Sequence, residues 1–392
     1  MRFSPLVDRI AGEAADAWLT HTQAAEMARY DDEVILLSVG DPDADTPVSI
    51  VDAAIDSLRR GRTHYVEVAG DMPLREAVAR YHNRYAHQAV TAENVVIVPG
   101  AQCALFAAAQ CIIAAGDEII VPEPMYVTYP GVIHSTGASI VPVPLLPHNQ
   151  FNLQIEDVKA AITPRTRAIL LNTPHNPTGS IIDEATLTQI AALCREHDLW
   201  VISDEVYQSM AFDQPAVSMA SIPGIYPHSI TVSSLSKAFA MTGWRLGWII
   251  CPNPLVKHLT NLLGAMLFGT PPFIQDAAAI ALDEHLHEMA NIAAPYHRRR
   301  DLVCDRLERI PNLSIYRPAG GMYVMIDVRQ SGLTAHEFVS RLFESEKLSL
   351  LPADAFGPSA TGHLRMTLTA PEEQLTEACT RLARFARTLE GG

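Results

Sequence analysis

Basic residues are scarce in this sequence. Its 392 residues include 29 lysines and arginines against 44 aspartates and glutamates, which gives a formal net charge of -15. Nucleic-acid binding requires a basic face and attraction to anionic lipid requires positive charge, so this balance argues against both kinds of partner. Long apolar runs are also missing. No stretch reaches the roughly 18 apolar residues of a membrane span, and the N-terminus lacks the apolar core of a signal peptide.

The cysteines do not indicate a metal site or a redox motif. The six cysteines form no CxxC pair and have no metal-ligand spacing with histidine, so no metal site is predicted. Most lie in apolar segments and are interpreted as small buried hydrophobic residues, which fits a reducing cytoplasm. The phosphate-binding pattern GxxxxGK[ST], the dinucleotide pattern GxGxxG after a strand, and the hydrolase patterns HExxH and GxSxG are all absent.

A large folded core is nevertheless expected, because 48% of the residues are hydrophobic. Apolar strands alternate with helices across residues 46–285, which predicts an α/β domain with a mainly parallel sheet flanked by helices. Residues 286–392 mix strands and helices and are predicted to form a smaller α+β domain. Residues 1–45 are predicted to be an arm, helical to residue 33, that packs with this smaller domain. One long helical stretch is expected from Ile274 into the basic run at 297–300, which is interpreted as a solvated face.

The stretch SSLSKAFAMTGWRLGW, residues 233–248, carries the clearest chemical signal. Lys237 can attack an aldehyde only as a neutral amine, and burial together with the nearby cation Arg245 would favour that form. The apolar neighbours expected to bury it are Leu235, Ala238, Phe239 and Met241. Arg245 and Ser234 offer a planar fork and a hydroxyl for one phosphate. Taken alone, the stretch is equally compatible with a solvated loop lysine and a surface arginine.

The spacing S-x-x-K, with arginine at the eighth residue after the lysine and glycines around it, resembles the lysine motif of the class I/II aminotransferases. These are the aspartate-aminotransferase-like branch of the fold type I pyridoxal-phosphate enzymes. The turn TPHNPTG, residues 173–179, is similar to the family's N-P-T-G turn, and the resemblance extends over nearly the whole chain. It implies pyridoxal 5'-phosphate held as a Schiff base on Lys237. It also implies ping-pong transfer of an amino group from an L-amino acid to a 2-oxo acid.

The resemblance assigns four side chains to the cofactor ring. Asp204, at the end of the strand LWVIS, matches the aspartate that pairs with the pyridine nitrogen and keeps it protonated. Asn176 and Tyr207 match the residues that hydrogen-bond the ring oxygen, and Tyr126 falls where the family stacks an aromatic ring on the pyridine. Without the resemblance, the alternatives are a helix cap for Asp204 and a core or interface position for Tyr126.

The phosphate is expected at a helix start. The strand VVIV and the turn Pro99-Gly100 lead into an apolar helix, whose first free N–H groups at Ala101 and Gln102 would bind the phosphate together with Ser234 and Arg245. A single turn of this kind more often serves packing.

Two further residues are assigned to the substrate carboxylate. Gly40, in the run LLSVGDP, matches a family glycine that lets the backbone approach this carboxylate, with Asn176 beside it. Arg365, in HLRMTL, matches the family arginine that binds the carboxylate in a bidentate pair. From the pattern alone, Gly40 is a turn glycine and Arg365 a surface arginine on an edge strand.

The connector YVEVAGD, residues 65–71, bears on the partner subunit and on the substrate. By resemblance Tyr65 reaches the cofactor phosphate of a neighbouring subunit, which implies a homodimer with shared active sites. The family's following Thr-Pro is replaced here by Val66-Glu67. If Glu67 enters the neighbouring pocket, it could pair with a cationic substrate, and a guanidinium would gain a bidentate contact. The chain also resembles arginine–pyruvate transaminases. The alternative is that Glu67 is a solvated loop carboxylate.

Two other functions remain open from the sequence. The same cofactor-holding residues could serve another fold type I reaction, such as β-elimination or decarboxylation, because they do not determine which bond to Cα breaks. A non-catalytic ligand sensor is the second alternative. Such a regulator should carry an added DNA-binding region, for which about 33 residues before the first strand and a net charge of -15 are poorly suited.

Overall fold

The computed structural model describes residues 2–10 and 18–389. Within these ranges the α-helices are α1 (Pro5–Ile10), α2 (Leu19–Met27), α3 (Val48–Arg59), α4 (Met72–Ala86), α5 (Gly100–Ile112), α6 (Tyr129–Ser135), α7 (Ile155–Ala161), α8 (Glu184–Glu196), α9 (Leu235–Ala238), α10 (Asn253–Met266), α11 (Pro272–Glu284), α12 (His287–Leu307), α13 (Ala335–Glu346) and α14 (Glu372–Thr388). The strands are β1 (Ile35–Leu36), β2 (Val95–Val98), β3 (Glu118–Glu123), β4 (Ser139–Pro144), β5 (Thr166–Asn172), β6 (Trp200–Asp204), β7 (Ser229–Ser234), β8 (Gly247–Ile250), β9 (Ser314–Tyr316), β10 (Tyr323–Asp327), β11 (Leu348–Ser349), β12 (Leu351–Pro352) and β13 (His363–Thr367). None of the described helices has the length and apolar character needed to cross a membrane.

The larger sheet has seven strands in the order β2-β8-β7-β6-β5-β3-β4. All neighbouring pairs are parallel except those of β8, which runs antiparallel to β2 and to β7. Strands β2, β3 and β7 are buried at every position, as expected for a sheet covered on both faces. Helices α5 and α10 pack in one hydrophobic cluster on this sheet, and α4 and α11 in another. The predicted helix-flanked, mainly parallel sheet is therefore confirmed.

A smaller antiparallel sheet has the order β12-β13-β10-β9, and β1 pairs in parallel with β11. Helices α12, α13 and α14 pack with this sheet in a single hydrophobic cluster that also includes Ile35 and Leu37. The N-terminal segment around β1 thus shares the core of the smaller unit. The domain limits at 45/46 and 285/286 stay predictions. Residues 11–17 of the predicted arm, together with Met1, lie outside the described residues.

Two expectations about residues 274–300 are wrong. The single long helix is two helices, because α11 ends before α12 begins. The basic run is a solvated face only in part, since Arg298 is exposed but Arg299 and Arg300 are buried. Arg299 pairs with Asp43 at 2.7 Å and Arg300 with Asp213 at 2.9 Å. These partners lie 256 and 87 residues away in sequence, so a local pattern could not reveal them.

The carboxyl ends of the parallel strands lie together at one edge of the larger sheet. Strands β2, β7, β6, β5 and β3 run in one direction and end together, and the antiparallel β8 begins there. The strand register places Asn172 beside Asp204 and Ser234 beside Gly247. In open α/β sheets, sites form outside the carboxyl ends of the strands, so this edge is where a site is expected.

Candidate active site

One pocket of about 330 Å³ lies at this edge of the sheet. Ten of the thirteen residues predicted from the sequence line it: Gly40, Ala101, Gln102, Tyr126, Asn176, Asp204, Tyr207, Ser234, Lys237 and Arg245. Arg365 adjoins the pocket through Asn176. Tyr65 and Glu67 do not line it. The structure thus brings together side chains that are as much as 205 residues apart in the sequence.

Lys237 lies on the short helix α9, directly after β7. Its Nζ donates a hydrogen bond of 2.8 Å to the carbonyl oxygen of Gly40. The apolar neighbours expected to bury this amine are buried elsewhere. Leu235 and Phe239 belong to a hydrophobic cluster with residues of α4 and α11. Leu235 and Phe239 are four residues apart, so they lie on one side of this helical turn and Lys237 lies on the other. Their packing anchors the segment and leaves the amine facing the pocket.

A close approach of three backbone segments forms the anion-binding end of the pocket. A Cβ at Gly247 would lie 2.7 Å from the Ser233 carbonyl oxygen and 2.9 Å from the Ala101 nitrogen. Only glycine fits there, so β8 lets the start of α5 and the end of β7 come together. The guanidinium of Arg245 lies against Gly100, where an added Cβ would be 2.6 Å from its Nη2. Helix N–H groups, a hydroxyl and a guanidinium together make a strong anion site.

Asp204 is a buried carboxylate at the end of β6. Burial raises its pKa to about 6, although a hydrogen bond from Tyr129 acts in the opposite direction. The Tyr129 hydroxyl donates to Oδ2 at 2.8 Å, and the Val206 N–H donates to Oδ1 at 3.4 Å. A nearby cation would favour the ionised form of this carboxylate, because burial without one disfavours it.

The adjacent Glu205 has a different environment. Its carboxylate accepts hydrogen bonds from the hydroxyls of Ser203 and Ser218, each at 2.8 Å, and from the Met219 N–H at 3.3 Å. Burial raises its pKa to about 7. These contacts satisfy Glu205 within the protein interior, and it does not line the pocket. Of the two adjacent acids, only Asp204 is available to a ligand.

Tyrosine 207 reaches the pocket beside a second buried tyrosine. Its hydroxyl lies 3.4 Å from the hydroxyl of Tyr323. Burial would raise the pKa of Tyr323, but the cations Arg365 and Lys237 outweigh it and lower that pKa. Tyr323 also explains Gly40, since a Cβ at this glycine would lie 2.1 Å from the Tyr323 hydroxyl oxygen. Gly40 is therefore required by close packing and is more than a turn glycine.

Arg365 is buried on β13, a central strand of the smaller sheet, so the edge-strand alternative is wrong. Its Nη1 donates to Oδ1 of Asn176 at 3.0 Å, and its Nη2 donates to the Ser38 carbonyl at 2.8 Å. The guanidinium lies 4.1 Å from the ring centre of Tyr323. Its Nε has no hydrogen-bond partner among the described residues. Because Asn176 accepts through Oδ1, its amide nitrogen is left as a donor.

Tyr65 and Glu67 lie on an exposed part of the chain. Tyr65 is 85% exposed, with its ring 5.1 Å from that of Phe268, which is 56% exposed. The Glu67 carboxylate lies 3.5 Å from Nη1 of the buried Arg75. Neither observation places these side chains in a neighbouring subunit, so both of their predicted roles stay predictions.

Sequence reasoning missed two tyrosines that shape the site. Tyr129, the last tyrosine of PEPMYVTYP, is buried against Asp204. Tyr323 is the first residue of β10 and comes two residues after a glycine pair. Their partners are 75 and 116 residues away in sequence. No local pattern distinguished them from core tyrosines. The only available signal was the position of Tyr129 three residues after Tyr126.

The donor set of this pocket fits pyridoxal phosphate. A primary amine at Lys237 suits its aldehyde, and the α5 start with Ser234 and Arg245 suits its phosphate. Asp204 is a buried carboxylate for which a protonated ring nitrogen would be the missing cation. The free amide of Asn176 and the hydroxyl of Tyr207 suit the ring oxygen. Among the described residues, no group of three or more His, Cys, Asp or Glu side chains could hold a metal ion.

Three kinds of comparison with known proteins give consistent results. Residues 32–382 match the family model for aminotransferases of class I and II. The chain is 51% identical to an arginine–pyruvate transaminase from Pseudomonas aeruginosa, with 100% of both chains covered. It is 35% identical to an aspartate aminotransferase from Pyrococcus abyssi, covering 91% of this chain and 92% of that one. A single mutant of Thermus thermophilus aspartate aminotransferase superposes with a TM-score of 0.93 at 33% identity, covering 98% of this chain and 100% of the other.

Proposed function

Because this chain belongs to the class I and II aminotransferases, we propose that its amino donor is L-arginine and its acceptor is pyruvate. The chain is a pyridoxal-phosphate-dependent transaminase with an aspartate-aminotransferase-like fold. The observation that carries the substrate proposal is the 51% identity, over the full length of both chains, to an arginine–pyruvate transaminase. The relatives named as aspartate aminotransferases are considerably more distant.

The charges of the pocket support a cationic donor. The cations that line it are Lys237 and Arg245, and both suit the cofactor. Arg365, next to the pocket, suits the α-carboxylate that every amino-acid substrate carries. Among the described residues of this chain, no further cation lines the pocket for an acidic side chain such as that of aspartate. An acidic substrate side chain would therefore find no cation of this chain to pair with, whereas a cationic side chain needs none.

Pyridoxal phosphate, when bound, supplies an electron sink that stabilises the negative charge left when Cα loses its proton. In this proposal Lys237 would hold the aldehyde and move the proton at Cα. Asp204 would pair with the ring nitrogen and keep it protonated. Asn176 and Tyr207 would donate to the ring oxygen, and Tyr126 would pack against the ring.

The remaining assignments position the anionic ends of cofactor and substrate. Ser234, Arg245 and the N–H groups of Ala101 and Gln102 hold the cofactor phosphate. Arg365 holds the α-carboxylate, and among the described residues its buried Nε has no hydrogen-bond partner. Gly40 keeps the backbone close to the amine of Lys237.

The substrate proposal predicts that arginine and pyruvate give alanine as a product. We expect kcat/KM for arginine to exceed that for aspartate, phenylalanine and tyrosine by about tenfold or more, the equivalent of one charge-assisted hydrogen bond. The measurement is alanine formation with pyruvate fixed and the donor varied. If arginine yields no alanine while another donor does, the proposed substrate is wrong and the family assignment is untouched.

We also propose a homodimer with shared active sites, located in the cytoplasm. Tyr65 and Phe268 form an exposed aromatic pair, and Met266 and Leu267 add apolar surface next to it. Exposed apolar surface of this kind favours a protein contact. The six cysteines are all free and four of them are buried, which suits a reducing compartment.

Shared sites predict that two defective subunits complement each other. In a hybrid of Tyr65→Phe and Lys237→Ala subunits, one site carries both changes and the other carries neither. We expect mixing after mild dissociation to give more activity than either variant alone, approaching half of the native value per hybrid. Activity equal to the average of the two unmixed variants, with hybrids verified by mass, would contradict sharing through Tyr65.

A further inference from the structure

The pocket contains one charged side chain that the cofactor assignments leave unused. Within the described part of the chain four charged residues line it, and three of these have polar partners. Asp204 accepts from Tyr129, Lys237 donates to Gly40, and Arg245 donates to the Thr242 carbonyl at 2.8 Å. The fourth, Asp41, is exposed to the pocket, and among the described residues its carboxylate has neither a hydrogen bond nor an ion pair.

The loop that carries Asp41 is held on both sides of it. Before it, the Gly40 carbonyl accepts from Lys237. After it, Asp43 pairs in a bidentate manner with the buried Arg299, at 2.8 and 2.7 Å. Further along, the Thr46 hydroxyl donates to the Ala240 carbonyl at 2.8 Å. A carboxylate presented on a fixed loop loses little conformational freedom when a ligand binds, so it is well prepared for recognition.

Asp41 also lies on the substrate side of the pocket. It follows Gly40, whose backbone meets both Lys237 and Tyr323. The Tyr323 hydroxyl is close enough to sense both Arg365 and Asp41, which shift its pKa in opposite directions. The anion Asp41 and the cation Arg365 therefore both lie near Tyr323. An amino acid with a cationic side chain carries a group of opposite charge for each of them.

We propose that Asp41 selects the cationic side chain of the amino donor, with a guanidinium as the best fit. This inference rests on the proposed function and names the residue that would carry its substrate preference. A carboxylate accepts two parallel N–H bonds from a guanidinium, while an ammonium offers only a point charge. Glu67 is the weaker candidate within this chain, because its carboxylate already lies beside Arg75 and is outside the pocket.

The test compares arginine with citrulline, which has the same length and shape but a neutral ureido group. The kcat/KM ratio of arginine to citrulline is measured for the native holoenzyme and for Asp41→Asn. We expect this ratio to fall about tenfold or more in the variant, mainly through a higher KM for arginine, because a charged hydrogen-bonded pair is lost. Asp45→Asn is the matched control: it makes the same change of charge at another exposed residue of this loop, outside the pocket.

The outcomes separate Asp41 from the proposed substrate. A ratio that is unchanged in Asp41→Asn, or that falls equally in Asp45→Asn, overturns the role of Asp41. A fall in Glu67→Gln with none in Asp41→Asn transfers the role to Glu67. A native enzyme that does not prefer arginine to citrulline contradicts the proposed substrate instead. In that case Asp41 stands only if its replacement lowers the ratio further.

Discussion

Replacing Lys237 by alanine is expected to lower kcat by at least about 1,000-fold with every amino donor. A positioned proton-transfer group alone contributes about 100- to 10,000-fold, and this variant also loses the covalent hold on the cofactor aldehyde. The fold should survive, because the Lys237 side chain makes one hydrogen bond, to the Gly40 carbonyl, while the rest of α9 is anchored by Leu235 and Phe239. The phosphate site is untouched, so the cofactor should still bind.

The measurement is the initial rate of alanine formation, with cofactor content determined on the same sample. Lys257→Ala is the matched control, since Lys257 is an exposed lysine of α10 that does not line the pocket. We expect this control to keep native activity. A Lys237→Ala enzyme within about tenfold of the native rate would remove Lys237 from the reaction.

Replacing Asp204 by alanine or asparagine is expected to lower kcat by about 100-fold or more. The reason is the loss of the buried carboxylate that would keep the ring nitrogen protonated. Breaking a buried charge pair by removing one partner costs about 3 to 5 kcal/mol, and about 1.4 kcal/mol corresponds to a factor of ten. The Asp204→Asn change keeps the shape of the side chain and an acceptor for the Tyr129 hydroxyl, so it separates charge from packing.

Glu205→Gln is the control for this second prediction. Glu205 is equally buried and adjacent in sequence, but its carboxylate is satisfied by Ser203, Ser218 and Met219. We expect Glu205→Gln to change thermal stability more than kcat, and the Asp204 variants to show the opposite. If both acids gave the same loss of kcat at full cofactor occupancy, Asp204 would have no special place in the reaction.

The parts of this site that could be predicted from the sequence are those encoded locally. The strand VVIV and its glycine turn predicted a helix start, and the spacing from Ser234 to Lys237 and Arg245 predicted one shared pocket. These groups belong to continuous stretches, and a parallel sheet brings the ends of such stretches to one edge. The order of strand and helix therefore explains why these stretches meet at one end of the sheet, while the ring and substrate roles of Asn176, Asp204, Tyr207, Tyr126 and Gly40 were implied by the family resemblance.

The missed features depend on contacts between distant segments. No local pattern indicated that Asp43 would pair with the buried Arg299, or that Tyr129 would reach Asp204. The close packing of Gly40 against Tyr323 is likewise a contact between a loop and a strand that meet only in the fold. Asp41 lies between Gly40 and Asp43 and was not singled out for this reason. A carboxylate can be recognised as unpaired only when the contacts of the folded chain are known.

The most direct test of the whole account is to find which lysine carries the cofactor. The chain has four lysines, Lys159, Lys237, Lys257 and Lys347, so a single labelled peptide identifies the site without ambiguity. Holoenzyme is reduced with borohydride to fix the cofactor covalently, then digested and mapped by mass spectrometry. The account predicts one pyridoxyl group per chain, on Lys237, and none in Lys237→Ala. Label on Lys159, Lys257 or Lys347 in the native enzyme, or a stoichiometric label that persists in Lys237→Ala, would contradict it.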